Sequence, residues 1–377
     1  MNDFVPETIV IDNGTSEIRA GIAGEDEPIK ILPTIIGKPK NFGVVLGMGK
    51  KDYYIGKEAQ FKKEILNLEN PIQKGIITNW ENMEKIWNYL FENELKINPS
   101  ETPILLAETI LTPKKDREKV TEIMFEKFQV SQFYVGFQEV LSLYANGRTT
   151  GIVIDLGEEI SRGIPIIEGY SVPNSIFSVD IGGSDLTEYL IQMINQKNYP
   201  FTHSLEKQVF QEIKEKICYV DMDFNDKMEI PFQSNLENEI DFDLGDGNVI
   251  KLGNERIKCP EAFFKPLLIG KEEPAIHETV FNSIMKFEPS KQKDFLCHIL
   301  LTGRSSFFPG IQERFQAELY SLLNPKTPLK VVLNQDFKYT AWVGGSILAS
   351  LTCNYHMWIR KEEYKESGCQ IVHKKCY

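Results

Sequence analysis

Short apolar runs rich in β-branched residues alternate along this chain with stretches whose apolar positions recur every three or four residues. That alternation predicts an α/β protein. Residues 8–12 (TIVID) and 152–155 (IVID) read as buried strands. Residues 83–95, 118–128, 184–197 and 205–220 read as amphipathic helices. Residues 243–252 (DLGDGNVIKL) read as a hairpin turning on Asp246-Gly247. No low-complexity segment or long linker interrupts the pattern.

The two strands open an internal echo. Ile11-Asp12-Asn13-Gly14 continues to Arg19, and Ile154-Asp155-Leu156-Gly157 continues to Arg162, at an offset of 143 residues from Asp12 to Asp155. The period is too long for a solenoid. It points to two duplicated halves, each opening with a strand, a tight turn and a returning strand.

Composition narrows the class. The chain has 377 residues, 42 Lys+Arg against 54 Asp+Glu, a net charge of −12, 42% hydrophobic and 25% charged residues. These values describe a globular protein of two or three domains or subdomains. The acidic balance argues against broad nucleic-acid binding, which needs a basic face. The longest membrane candidate, residues 342–351, is short and carries two glycines and two serines, so no membrane insertion is expected. The N-terminus has no basic, apolar leader pattern. An intracellular, cytoplasmic protein with reduced thiols at its six cysteines is expected.

A buried strand that ends in Asp and then Gly aims a carboxylate and bare backbone N–H groups at one point. Successive turn amides make an anion nest, and Gly allows close approach. Two such turns facing each other would clamp a polyphosphate. Asp12 and Asp155 would then hold Mg²⁺, mainly through its waters. Arg19 would present a positive fork to the phosphates. Either turn alone reads more readily as an ordinary hairpin with a self-capping Asp; the pairing reverses that preference in favour of phosphate.

Beyond these residues, the chain resembles the actin family over essentially its whole length, residues 9–377. The likeness is carried by GMGKKD (47–52), TNWENMEKIW (78–87), VLSLYA (140–145), GRTTGIV (147–153), GNERIKCPE (253–261), FNSIMK (281–286), GGSILASL (344–351) and IVHKKCY (371–377). No large insertion interrupts it, which places the chain closer to conventional actin than to related proteins with long inserts. The resemblance implies an actin-like ATPase fold, with two duplicated ribonuclease-H-like halves around a nucleotide cleft. It implies a first, outer lobe of residues 1–145 and 339–377, with a docking-loop subdomain at about 34–70. It implies a second, inner lobe of 146–338, with a subdomain at about 183–262.

Carried over by position, Asp12, Gly14, Thr15 and Arg19 match the first phosphate loop, and Asp155 with Gly157 the second. Gln138 matches the glutamine that positions the attacking water. Gly183 and Asp185 match a cleft turn, Lys214 and Glu215 a nucleoside-facing pair. Gly303, Ser305 and Phe308 match the adenine-side loop, and Lys338 with Tyr339 its neighbouring strand. ATP or ADP with Mg²⁺ is the implied cofactor set.

The departures from the family pattern gather in the same place. The second loop continues from Gly157 into Glu158-Glu159, without its second glycine and with added negative charge. Arg162 stands at the catalytic histidine and cannot pass protons near neutral pH. Ser16 replaces a glycine, Arg19 replaces a lysine, and Arg304 replaces the second of two glycines beside adenine. Lys74 stands at the modified histidine, and Ser178 at an arginine on the phosphate exit route. Slow hydrolysis is expected, a weak ATPase at most.

Residues 41–51 (NFGVVLGMGKK) match a subunit-docking loop, and 266–270 an apolar plug. Around 288–292 the family's alternating charges are partly lost, and the acidic N-terminal cluster is thinned to Asp3 and Glu7. Tyr144, Gly147, Thr149, Ile347, Leu348 and Leu351 match a groove that receives an amphipathic helix from actin-binding proteins. The expected function is a divergent cytoskeletal protein that assembles with itself or with actin-like subunits into filaments. The alternative is a non-polymerising subunit of a stable assembly in which nucleotide is structural. Two metal patterns are set aside. Cys353-x₂-His356 with Cys369-x₃-His373 and Cys376 has zinc-like spacing but falls in a tail that actin shares without zinc. The stretch from Asp241 lacks the glycine and final glutamate of a calcium loop.

Overall fold

The computed structural model describes residues 7–40, 51–197, 199, 207–229, 239–244, 248–334, 339–351 and 356–376. Residues 44–48 of the docking loop, the Asp246-Gly247 turn, Lys338 and Cys353 lie outside them. The chain divides into two compact units, Met1–Thr149 with Phe337–Tyr377, and Thr150–Asp336.

The first unit is built on a six-stranded sheet in the order Ile359–Arg360, Gln132–Phe137, Pro103–Glu108, Ile9–Asn13, Glu17–Ile22, Lys30–Pro33. Ile9–Asn13 is buried at every position, as a central strand covered on both faces must be. It pairs antiparallel with Glu17–Ile22, which places Asp12 opposite Arg19, and parallel with Pro103–Glu108. The helices Gln138–Ala145 and Thr340–Ser350 pack on each other so closely that a side chain at Gly344 would collide with the Leu141 carbonyl.

The second unit repeats the plan. Its sheet runs Tyr170–Ser171, Ser161–Ile167, Gly151–Leu156, Ile299–Thr302, Val331–Leu333, with Phe177–Val179 also paired to Ser161–Ile167. Gly151–Leu156 pairs antiparallel with its returning strand, placing Asp155 opposite Arg162, and parallel with Ile299–Thr302. The echo in the sequence is therefore an echo in strand order and in register. Each unit buries its own core: Ile11, Trp87, Leu106 and Phe133 are among the interior residues of the first, and Ile154, Leu190, Phe263 and Phe315 of the second.

The anticipated helices are present with shifted bounds. The first begins at Trp80, because the Asn79 side chain accepts from the Asn82 amide and caps it, and it widens into a π-helical turn over Leu90–Leu95. The second runs from Lys114 to Glu122 and widens likewise over Ile123–Lys127. The others span Gly183–Gln196 and Lys207–Ile217. One expectation is corrected. Tyr339 does not extend a strand; it stands at the N-terminus of the Thr340–Ser350 helix, where the apolar run 342–351 packs against the sheet.

Candidate functional site

In both units the parallel strands deliver their C-terminal ends into glycine turns, the edge at which open α/β sheets bind ligands. In the first unit the Gly14 amide donates to the Glu17 carbonyl (3.1 Å), closing the turn. A Cβ on Gly14 would stand 2.6 Å from the Glu17 oxygen, so glycine is required there. Asp12, 2% exposed, is held at both oxygens: Arg19 Nη1 donates to Oδ2 (2.9 Å) and Gln138 Nε2 to Oδ1 (2.6 Å). Gln138 Nε2 also donates to the Asn13 carbonyl (3.1 Å). Burial works against the charge on Arg19, but Asp12 and Glu17 outweigh it and raise its pKa. The guanidinium lies over the Tyr339 ring at 5.3 Å.

The turn is tied to its surroundings by contacts the sequence did not announce. The Thr15 hydroxyl accepts from the Gly75 amide (3.0 Å), and the Thr15 carbonyl accepts from Asn70 Nδ2 (2.7 Å). Thr34 Oγ1 donates to the Gly14 carbonyl (2.8 Å), and Trp87 Nε1 to Asn13 Oδ1 (3.3 Å). Lys74, beside Gly75, takes up a positive φ of 48° in the turn between Ile72–Gln73 and Ile76–Ile77.

The second unit carries the matching turn. A Cβ on Gly157 would stand 2.7 Å from the Ile160 oxygen. The constraint is the same, at the same place in the hairpin, as at Gly14. Asp155 is half-buried, while Arg162 across the strand is buried and has Ser178 on its other flank. The Gly183 amide donates to the Gly157 carbonyl (2.9 Å) and the Ser184 amide to the Glu158 carbonyl (2.7 Å), seating the start of the Gly183–Gln196 helix on this turn. Asp185 caps that helix by accepting from the Gly182 amide (2.8 Å) and is itself paired with Lys271 (2.9 Å).

Lys214 is buried, and its ammonium donates to the Gly183 carbonyl (2.6 Å) and Thr187 Oγ1 (2.9 Å). The Glu158 carboxyl also reaches Gly183, and burial raises its pKa, against the opposing pull of Lys214 and Lys207. Gly303 has φ +84°, and a Cβ there would stand 2.7 Å from Asp155 Oδ1. Ser305 and Phe308 follow, both buried. Arg304 Nε pairs with Glu215 Oε1 at 3.2 Å, a contact between residues far apart in the chain that the spacing of neither motif reveals.

The first unit thus brings together Asp12, Gly14, Thr15, Arg19 and Gln138. The second brings together Asp155, Gly157, Gly183, Lys214, Glu215, Gly303 and Ser305, with Arg162 opposite Asp155 on the returning strand.

Elsewhere in the first unit, Ile347 and Leu351 are exposed at the end of the last long helix, Gly147 is exposed, and Tyr144 and Leu348 are half-buried. In the tail, the Cys376 thiol accepts from the Val135 amide and His373 Nε2 meets Glu118 at 2.9 Å. No described helix is long and apolar enough to cross a membrane. A family model described as Actin matches residues 5–377.

Proposed function

The chain belongs to the actin family, and on that premise we propose an actin-like protein of the cytoplasm that binds ATP with Mg²⁺ and assembles with copies of itself or with related subunits. The observation that carries the nucleotide reading is the duplicated turn: Asp12–Gly14–Arg19 and Asp155–Gly157–Arg162 in one register, each glycine filling a space that a Cβ would close. Such turns suit a phosphate chain, and a carboxylate at each strand end suits a hydrated divalent cation. Asp12 and Asp155 would hold Mg²⁺ through its waters, and bound Mg²⁺ neutralises phosphate charge.

The chain's own residues then have distinct tasks. Arg19 supplies positive charge while fixing the Asp12 carboxylate. Gln138 commits its amide nitrogen to Asp12 and Asn13, which leaves its carbonyl oxygen as the end that orients a water. Lys214 locks the Gly183 turn. A guanidinium does not serve as a proton relay in the way an imidazole does, so Arg162 does not pass a proton on from that water, and hydrolysis is slow. Leu267, 75% exposed on the turn Pro266–Ile269, supports assembly, and exposed Ile347 and Leu351 support capture of a partner's amphipathic helix.

The test is thermal unfolding with and without ATP and Mg²⁺. Wild type gains stability with ligand concentration as a binder must, and Asp12→Ala gains none. An equal gain in the mutant refutes the site. Sedimentation in ATP and Mg²⁺ separates filament formation from the alternative of a subunit held in a stable, non-polymerising assembly.

A further inference from the structure

Two elements of the second unit converge on Gly183. A Cβ there would meet Glu158 Oε2 at 3.0 Å, Ser305 Oγ at 3.1 Å and Lys214 Nζ at 3.2 Å. Lys214 belongs to the helix Lys207–Ile217, and Ser305 to the short turn Arg304–Phe307. Both make a polar floor and both are buried. The next residue of the helix is Glu215, and the residue before Ser305 is Arg304. These two form the 3.2 Å ion pair, one layer further out, with side-chain exposures of 47% for Arg304 and 30% for Glu215.

The pair is held in place from both sides. Gln211 Nε2 donates to Glu215 Oε1 (3.0 Å). The turn that carries Arg304 is fixed by Gly303, whose left-handed backbone abuts Asp155, and by Ser306, which donates to the Gly303 carbonyl through both its amide (3.1 Å) and its hydroxyl (2.7 Å). Helix and turn are therefore joined twice: below by the buried contacts at Gly183, above by an ion pair facing water.

We propose that Arg304 and Glu215 form a clasp across the mouth of this floor, which the nucleoside end of a bound nucleotide must open to enter and to leave. The inference rests on the nucleotide reading and adds to it a kinetic device made from Arg304, which departs from the family's paired glycines. A clasp of this kind slows both directions and leaves affinity nearly untouched. Exposed ion pairs hold with modest energy, so opening the clasp permanently speeds entry and exit about two- to fivefold. Salt, which screens exposed charges, has the same effect on the intact clasp.

The test is stopped-flow binding and displacement of ethenoadenosine triphosphate with Mg²⁺ on wild type, Arg304→Ala and Arg304→Lys. The clasp predicts that Arg304→Ala raises association and dissociation rates together, that Arg304→Lys, which keeps the charge, stays near wild type, and that added salt speeds wild type but not Arg304→Ala. Faster dissociation with unchanged association overturns it, because Arg304 would then be a direct contact to the base. Unchanged rates in Arg304→Ala overturn it as well, with the nucleotide reading intact. Failure of wild type to bind the probe overturns the nucleotide reading and the clasp together.

Discussion

Gly157→Ala concentrates the nucleotide reading in one methyl group. The added Cβ would lie 2.7 Å from the Ile160 carbonyl oxygen, where ordinary contact begins at 3.4 Å, so about 0.7 Å must be found. The oxygen belongs to the backbone at the foot of the returning strand and cannot swing aside as a side chain would. The pairing of Leu156 with Ser161 fixes both ends of the turn, so relief comes only by opening the turn itself. Forcing a methyl group into a filled space costs about 1–3 kcal/mol. An opened turn redirects the amides that would face phosphate, so the cost falls on binding and raises the Kd for ATP about five- to 150-fold. Gly14→Ala meets the same obstacle at 2.6 Å, the Glu17 oxygen, and should lose a similar amount. Gly368→Ala is the control. It also strains the backbone, at φ +67°, but its Cβ meets nothing within 4 Å, so it costs stability of about 1–2 kcal/mol without touching affinity. Isothermal titration calorimetry on the three variants decides. Wild-type affinity in both Gly14→Ala and Gly157→Ala would refute the assignment of these turns to phosphate.

Arg162→His should raise the single-turnover rate of ATP cleavage, since general acid–base help is typically worth about 10²–10⁴; a fall in rate would make Arg162 itself catalytic. Glu261→Ala removes the carboxylate paired with buried Arg314 (3.0 and 3.2 Å), leaving Glu318 as its remaining carboxylate partner. It should cost about 3–5 kcal/mol by urea unfolding, and a loss below 1 kcal/mol would refute the importance of the pair. Burial lifts the Glu108 carboxyl from 4.5 to about 7, despite Arg117, with Glu139 and Asp116 adding repulsion. The folded state therefore binds the proton more tightly than the unfolded chain, and stability falls by about 3 kcal/mol as pH rises from 4.5 to 7 and is flat above. In Glu108→Gln that slope should vanish from the pH series of unfolding free energies, and an unchanged slope would show that other groups set it.

The parts of this site that were legible in the sequence are those written locally. Asp12, Gly14 and Arg19 lie within one hairpin, and an eight-residue pattern recurring at Asp155, Gly157 and Arg162 needs no knowledge of tertiary contacts to be seen. The structure gives both hairpins the anticipated strand, turn and returning strand, in one shared register, because buried strands of period two leave one register open to them. What was not legible depends on folding distance. Glu215 and Arg304 carry no shared motif, and only the packing of a helix beside a turn makes them neighbours. The resemblance names Lys214 as half of a nucleoside-facing pair, but its burial was not legible: the Gly183 carbonyl and Thr187 hydroxyl satisfy its ammonium inside the unit. Tyr339 was misplaced for a different reason: the resemblance set it on a strand, but the apolar run that follows finds its partners as a helix.

The two hairpins also show why register alone does not settle chemistry. Asp12 and Asp155 occupy one geometric position, yet the first carboxylate is buried and bound at both oxygens, while the second is half-buried beside the left-handed Gly303 turn. Their parallel-strand neighbours differ in the same sense, Ala107 beside Asp12 and Thr302 beside Asp155. The arginines differ too. Arg19 is drawn onto its own aspartate and over the Tyr339 ring, whereas Arg162 is buried between Asp155 and Ser178 in adjoining strands. A duplicated backbone thus makes two equivalent turns, and the side chains around each leave one carboxylate buried and charge-compensated and the other half-buried. Of the departures from the family pattern, Glu158, Glu159, Arg162, Ser178 and Arg304 fall in the second unit, and Ser16, Arg19 and Lys74 in the first. Under the proposed nucleotide function, substitutions in the second unit change the rates of cleavage and exchange, while Asp12, held by Arg19 and Gln138, anchors the first.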